Sequence, residues 1–311
     1  IPLRLVGSEM CIRDSLDVDP ASLPTPAFPL LGRDRVDFGR PVPVGVTTIG
    51  DPVAAEFKAH RALYGGQSGS GKTWAMRLPV LAAALDPTTE LYIIDMKGET
   101  DWLPFARVAT RVVNSGSTDD AMRVVDEVVQ ERRARSKAKR EHGTVPGPLL
   151  LVIDECQNMP DWDGAKELMK EGRSAGISIV MGTQAPKGNA IPTDVSAQFD
   201  TRWCGKMHAD WQWRLVLGDA MNRPEIDVTQ VRGKGAGWLI DSDDNASLVR
   251  GYAVTDDEIV AALAGVPERG GRAVEADESV ESVGDTEVLP VVEVPREDVP
   301  LLERVVAVWP D

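Results

Sequence analysis

Gly66-Gln67-Ser68-Gly69-Ser70-Gly71-Lys72-Thr73 matches G-x-x-x-x-G-K-[ST] at every fixed position, the pattern of a phosphate-binding loop. Its flanks suit that pattern. Arg61–Tyr64 reads as a short apolar strand running into the loop, and Gly71–Leu85 as a helix leaving it, with Pro79 expected to kink it. The glycines let the backbone wrap closely, so that successive N–H groups face an anion. The helix start adds its positive end. Lys72 supplies a full charge for the β- and γ-phosphates, and Thr73 a hydroxyl for Mg²⁺. The candidate nucleotide-binding residues are therefore Gly66, Gln67, Ser68, Gly69, Ser70, Gly71, Lys72, Thr73 and Trp74, with ATP and Mg²⁺ as the expected ligands.

Hydrolysis at such a loop needs a carboxylate pair at a strand end. Leu149–Asp154 is the most apolar strand in the chain, and Glu155 follows it. Asp154 would hold Mg²⁺ through water, and Glu155 would polarise the attacking water. Asp95, ending the strand Leu91–Asp95, is the rival; its plain role is to cap the turn that follows.

Further out, strands alternate with helices. Ala109–Val113, Ile177–Met181 and Thr201–Lys206 read as strands, and Thr118–His142, Ala165–Ala175 and Trp211–Gly218 as helices. Gly237–Asp241 and Leu248–Ala253 could pair as a hairpin, followed by a closing helix Asp256–Ala264. Continuous apolar strands separated by helices imply an α/β fold, a mainly parallel sheet covered on both faces.

The 311 residues carry 34 Lys/Arg against 49 Asp/Glu, a net charge of −15. That excludes a uniformly basic nucleic-acid coat, though not a local basic groove. Three cysteines make no disulfide framework and point to a reducing, cytoplasmic setting. No apolar run approaches the roughly 20 residues of a membrane helix, so action at a membrane would need a membrane-bound partner. Residues 265–311 are acidic and Pro-containing and read as a tail; 1–35 read as irregular. The opening IPLRLVGSEMCIRDS resembles translated sequencing-adapter read-through, so residues 1–15 read as an artefact, with an ordinary flexible N-terminus as the alternative. Val299–Trp309 spaces apolar residues at helical intervals, like the start of a truncated domain.

Several ordered motifs resemble the motor domain of FtsK/SpoIIIE-type DNA translocases, within the RecA-like P-loop ATPases: YGGQSGSGKT, IIDMKGE, LLVIDECQNM, RSAGISIVMGTQAP, FDTRWCGKM, GKGAGWLI and VRGYAVTDDEIVAAL. Two departures are Met96, where the family has Pro, and Ala185, where it has Arg. The resemblance covers about residues 36–264, with VDFGRPVPVGV as a short β-rich lead-in and the hairpin plus helix as its end. It implies a homo-oligomeric ring, usually a hexamer, that threads double-stranded DNA by hydrolysing ATP. The family's membrane-spanning region and complete winged helix are not in this sequence, so a mobile-element, conjugative or phage-type relative is expected, actinobacterial by resemblance. A protein-secretion ATPase and a nucleotide-switched packaging or scaffold protein are the alternatives.

The resemblance also gives roles. Gln184 would sense the γ-phosphate or the water, against a plain reading as a loop residue. Arg202 would act in trans on a neighbour's nucleotide, with Arg173 as the alternative and a strand-end salt bridge as the plain role of either. Lys187, Lys206, Arg214 and Arg223 fall on segments matching the family's DNA loops. Arg132, Arg133, Arg135, Lys137, Lys139 and Arg140 read better as a solvated helix end than as a phosphate-contacting surface. Trp203, Trp211 and Trp213 read as core or interface packing rather than base-stacking. Cys204 and His208 lack a second pair for zinc, and His60, His142 and His208 lack partners for a hydrolytic triad.

Overall fold

The computed structural model describes residues 25–33, 35–184, 191–269 and 272–273. In chain order the elements are β1 (Val42–Thr47), β2 (Pro52–Ala55), β3 (Arg61–Gly65), α1 (Lys72–Leu85), β4 (Glu90–Asp95), β5 (Arg111–Val113), α2 (Thr118–His142), β6 (Leu149–Asp154), α3 (Asp163–Glu171), β7 (Ile177–Thr183), α4 (Thr193–Ser196), β8 (Thr201–Gly205), α5 (Asp210–Leu217), β9 (Ala236–Ile240), β10 (Ala246–Gly251), α6 (Asp256–Leu263) and β11 (Arg272–Ala273).

All strands join one sheet in the order β11-β5-β4-β6-β7-β3-β8-β9-β10-β1-β2. From β11 to β8 the neighbours are parallel; from β8 to β2 they are antiparallel. The lead-in is a hairpin, β1 with β2, and it docks on β10 of the C-terminal hairpin, so both ends of the motif-bearing region extend the same edge.

The parallel strands are buried on both faces, and their side chains alternate between two cores. Leu91, Ile93, Leu150 and Val152 face one core with α1 and α6. Tyr92, Ile94, Leu149, Leu151 and Ile153 face the other with α2, α3 and α5. α1 is buried almost all round from Ala75 to Leu85, as befits a helix under the sheet's centre, and it runs through Pro79 as one helix. α2 starts where Ser117 accepts from Asp120 N–H at 3.3 Å and stops at Gly143, in the left-handed region.

The basic run on α2 is partly tied into the molecule, while Arg133, Lys137, Lys139 and Arg140 stay exposed, as a solvated helix end would. Arg132 and Arg133 pair with Glu167 and Glu171 of α3. Arg135 is buried and pairs with Glu90 and Glu131, and Lys139 donates to Ser174 O. Trp203 and Trp213 are core residues; Trp211 is half exposed.

The packed body extends past the expected boundaries. Phe28 is buried and its ring lies 5.9 Å from that of Tyr252. Beyond Ala264, Arg269 donates to the carbonyls of Thr89, Ala84 and Asp86 at the end of α1, and β11 pairs with β5. Acidic composition outweighed these few anchoring residues in the sequence reading. The segment Val299–Trp309 and residues 1–15 lie outside the described residues. Among the described residues no helix is long and apolar enough to cross a membrane.

Candidate active site

β3 lies between β7 and β8, and β6 lies beyond β7. The phosphate loop therefore opens at the tips of these strands and is tied to two of them: Gly66 N–H donates to Thr183 O at 3.2 Å and Gln67 N–H to Lys206 O at 2.8 Å. A third tie comes from the segment before β9, where Gly235 N–H donates to Ser70 O at 2.7 Å. The approach is close enough that a Cβ on Gly71, itself at φ +93°, would come 2.5 Å from Gly235 N. Lys234, beside it, sits 3.6 Å above the ring of Trp74, a cation–π contact.

The loop is built to hold an anion. The main-chain N–H groups of Ser68, Gly69, Gly71, Lys72, Thr73 and Trp74 meet no acceptor among the described residues, and α1 starts with no side-chain cap and no acid in its first turn. The buried hydroxyls Ser70 Oγ and Thr183 Oγ1, which can donate, are also without partners. Buried polar groups are normally satisfied, so this concentration of donors at a helix N-terminus fits a phosphate chain.

Facing the loop is a three-charge cluster. Lys72 Nζ donates to Asp154 Oδ1, and to Glu155 Oε1 at 2.9 Å; all three side chains are at least nine-tenths buried. Burial works against the ammonium, but the two carboxylates outweigh it and hold the Lys72 pKa above its ordinary value. Asp154 reaches Lys72 across β7, and the crossing needs a glycine: a Cβ on Gly182 would lie 2.5 Å from Asp154 Oδ1.

Glu155 takes a left-handed conformation (φ 54°, ψ 44°) as the chain leaves β6, a strained state for a non-glycine residue that turns its side chain back into the site. Its Oε2 accepts from Gln157 Nε2 at 2.6 Å and from Gln184 N–H at 3.2 Å. Gln184 thus stands beside Glu155 through its main chain. Asp95 accepts from Lys97 N–H and Glu99 N–H at 2.9 and 2.8 Å, so the rival carboxylate is a turn cap.

Within its own chain, Arg202 is held by main-chain carbonyls. Its guanidinium donates to Val216 O at 2.7 Å and to Ser196 O, and lies over Phe199. Burial lowers its pKa, with Asp219 opposing. It clamps the ends of α4 and α5 to β8. Arg173 is more than half exposed, 3.8 Å from Asp200. Of the basic candidates, Arg223 is paired with Asp244, Arg214 donates to Asn222 Oδ1 at 2.8 Å, and Lys206 is exposed on a cleft of about 390 Å³ beside the phosphate loop. Lys187 lies outside the described residues.

Sequence reasoning missed Gly182, the Gly71–Gly235 contact and Trp102, whose indole donates to Asp154. An isolated glycine in an apolar strand signals close approach, so Gly182 was findable; the other two depend on contacts distant in sequence.

Residues 148–188 match a family model, the TraM recognition site of TraD and TraG. The chain is 27% identical to Protein Tra of Streptomyces lividans over 222 residues, 60% of this chain and 35% of that protein. It is 29% identical to the DNA translocase FtsK of Brucella melitensis over 131 residues, 39% of this chain and 15% of that protein. Among solved structures, the pCW3 conjugation coupling protein TcpA, in a monomer form with ATPγS, superposes with a TM-score of 0.62 at 20% identity, covering 77% of this chain and 73% of that one. The chain thus spans about a third or less of the curated relatives it matches. Parts of the chain are thus similar in sequence to Protein Tra and to the DNA translocase FtsK, and its fold is that of the TcpA conjugation coupling protein.

Proposed function

We propose that this chain is the motor of an ATP-driven translocase for double-stranded DNA, working in the cytoplasm as a homo-oligomeric, hexameric ring, with a membrane-bound partner wherever it acts at a membrane. The observation that carries the reading is the buried Lys72–Asp154–Glu155 cluster facing a loop of unpaired N–H groups, in a chain whose sequence relatives include DNA translocases.

The residues fit ATP and Mg²⁺. Thr73 and Asp154 would hold the metal, which supplies positive charge to the β- and γ-phosphates when bound. Before nucleotide arrives, Lys72 bridges the two carboxylates and offsets part of their charge. With phosphates on the loop, Lys72 transfers its charge to them and releases Glu155. Glu155, positioned by Gln157 and the Gln184 N–H, then takes the proton of the attacking water. Gln184, at the tip of the strand between β3 and β6, relays the γ-phosphate's presence to Glu155.

The test is the ATPase rate with linear duplex DNA, with single strands and with unfolded polypeptide, across a salt series. Stimulation by duplex of any sequence, falling steeply with salt, is expected. Stimulation by polypeptide alone would replace this reading with protein secretion.

A further inference from the structure

Trp102 lies in the loop after β4. It is wholly buried, and its Nε1–H donates to Asp154 Oδ2 at 3.2 Å. The other carboxylate oxygen, Oδ1, accepts from Lys72 Nζ and from Glu155 N–H at 2.9 Å. One oxygen therefore faces the site and the other is pinned from behind. The pin is itself held. The Trp102 ring lies 6.0 Å from that of Phe105, and the carbonyl of Asp101 accepts from Arg77 on α1, the helix that starts at Lys72. An indole N–H only donates, and a buried one needs an acceptor. A carboxylate with a fixed donor on Oδ2 has lost the rotation that would exchange its two oxygens.

We propose that Trp102 is a positioning residue for the metal: it holds Asp154 so that Oδ1 is the oxygen offered to metal-bound water once Lys72 has moved to the phosphates. This rests on the nucleotide site proposed above. The role resembles that of outer-shell partners elsewhere, whose loss weakens metal affinity by roughly 10–100-fold.

The experiment measures binding of N-methylanthraniloyl-ATP as a function of Mg²⁺, with thermal stability recorded for each protein. Trp102→Phe keeps an aromatic ring and removes the donor. It should raise the Mg²⁺ midpoint about tenfold while leaving affinity in EDTA unchanged. Phe105→Leu loosens the same packing and keeps the donor, so its midpoint should move much less than that of Trp102→Phe. In an Asp154→Asn background, Trp102→Phe should shift the midpoint no further. An unchanged midpoint in folded Trp102→Phe, an equal shift in Phe105→Leu, or an undiminished effect in the Asp154→Asn background would each overturn the role. Should Trp102→Phe not fold, nitrogen-labelled wild-type protein supplies the readout: the indole N–H resonance that Asp154→Ala displaces must move again when Mg²⁺ joins the bound analogue, and a stationary resonance overturns the role. A wild type that binds no analogue at all would overturn the proposed function and this role with it; normal binding with an unchanged midpoint removes the role alone.

Discussion

Lys72, Asp154 and Glu155 share one buried space, yet their loss should be felt differently. Lys72→Ala leaves two carboxylates facing each other without a counter-charge. Calorimetry on the nucleotide-free protein should show a loss of roughly 3 kcal/mol, and ATP binding should fall with it. Glu155→Gln keeps the shape and removes the base, so ATP should bind at near wild-type affinity while turnover drops by about 10²–10⁴. Equal loss of binding and turnover in Glu155→Gln would give that side chain a folding or metal role instead. These residues could be read from the chain because each sits in a motif of fixed local spacing. Trp102 and Gly182 could not be assigned in the same way: one acts through Asp154, 52 residues on, and the other through the empty volume it leaves above β7.

At the scale of elements, the strands and helices of the parallel sheet were legible because each is a continuous apolar run or an amphipathic stretch, with Ser117 marking the start of α2. The α2 bounds expected from Thr118 and His142 are those observed. β2 was not expected; Pro52–Ala55 is four residues long and carries no strong strand signal of its own. The contacts of Arg202 within the chain were also illegible, since a motif gives a residue's identity and not the direction its side chain takes. Arg202→Ala removes two charge-assisted bonds that fasten α4 and α5 to β8, so it should lower stability by about 2–3 kcal/mol. Mixing it with Lys72→Ala subunits should not restore hydrolysis. Recovery of activity in assembled mixed rings, with unchanged melting of the Arg202→Ala subunit, would return Arg202 to a role in trans.

For the whole molecule, composition drew the C-terminal boundary at residue 264, while contacts carry the body to residue 273. Arg269 caps the end of α1, the helix that begins at the phosphate loop, and Arg107 donates to the carbonyls of Leu263 and Val266. A chain ending at 273 should melt and hydrolyse ATP like the full chain, whereas one ending at 264 should melt several degrees lower. Identical melting of the two would make the Arg269 contacts incidental.

The most direct test of the central claim is displacement of a third strand from linear duplex DNA. With ATP, the wild-type protein should release a triplex-forming strand bound far from the duplex end, after a delay that grows with the distance to be travelled. Glu155→Gln should bind the same DNA and release nothing. Steady ATP hydrolysis with the third strand left in place, or release that needs no ATP, would contradict the account.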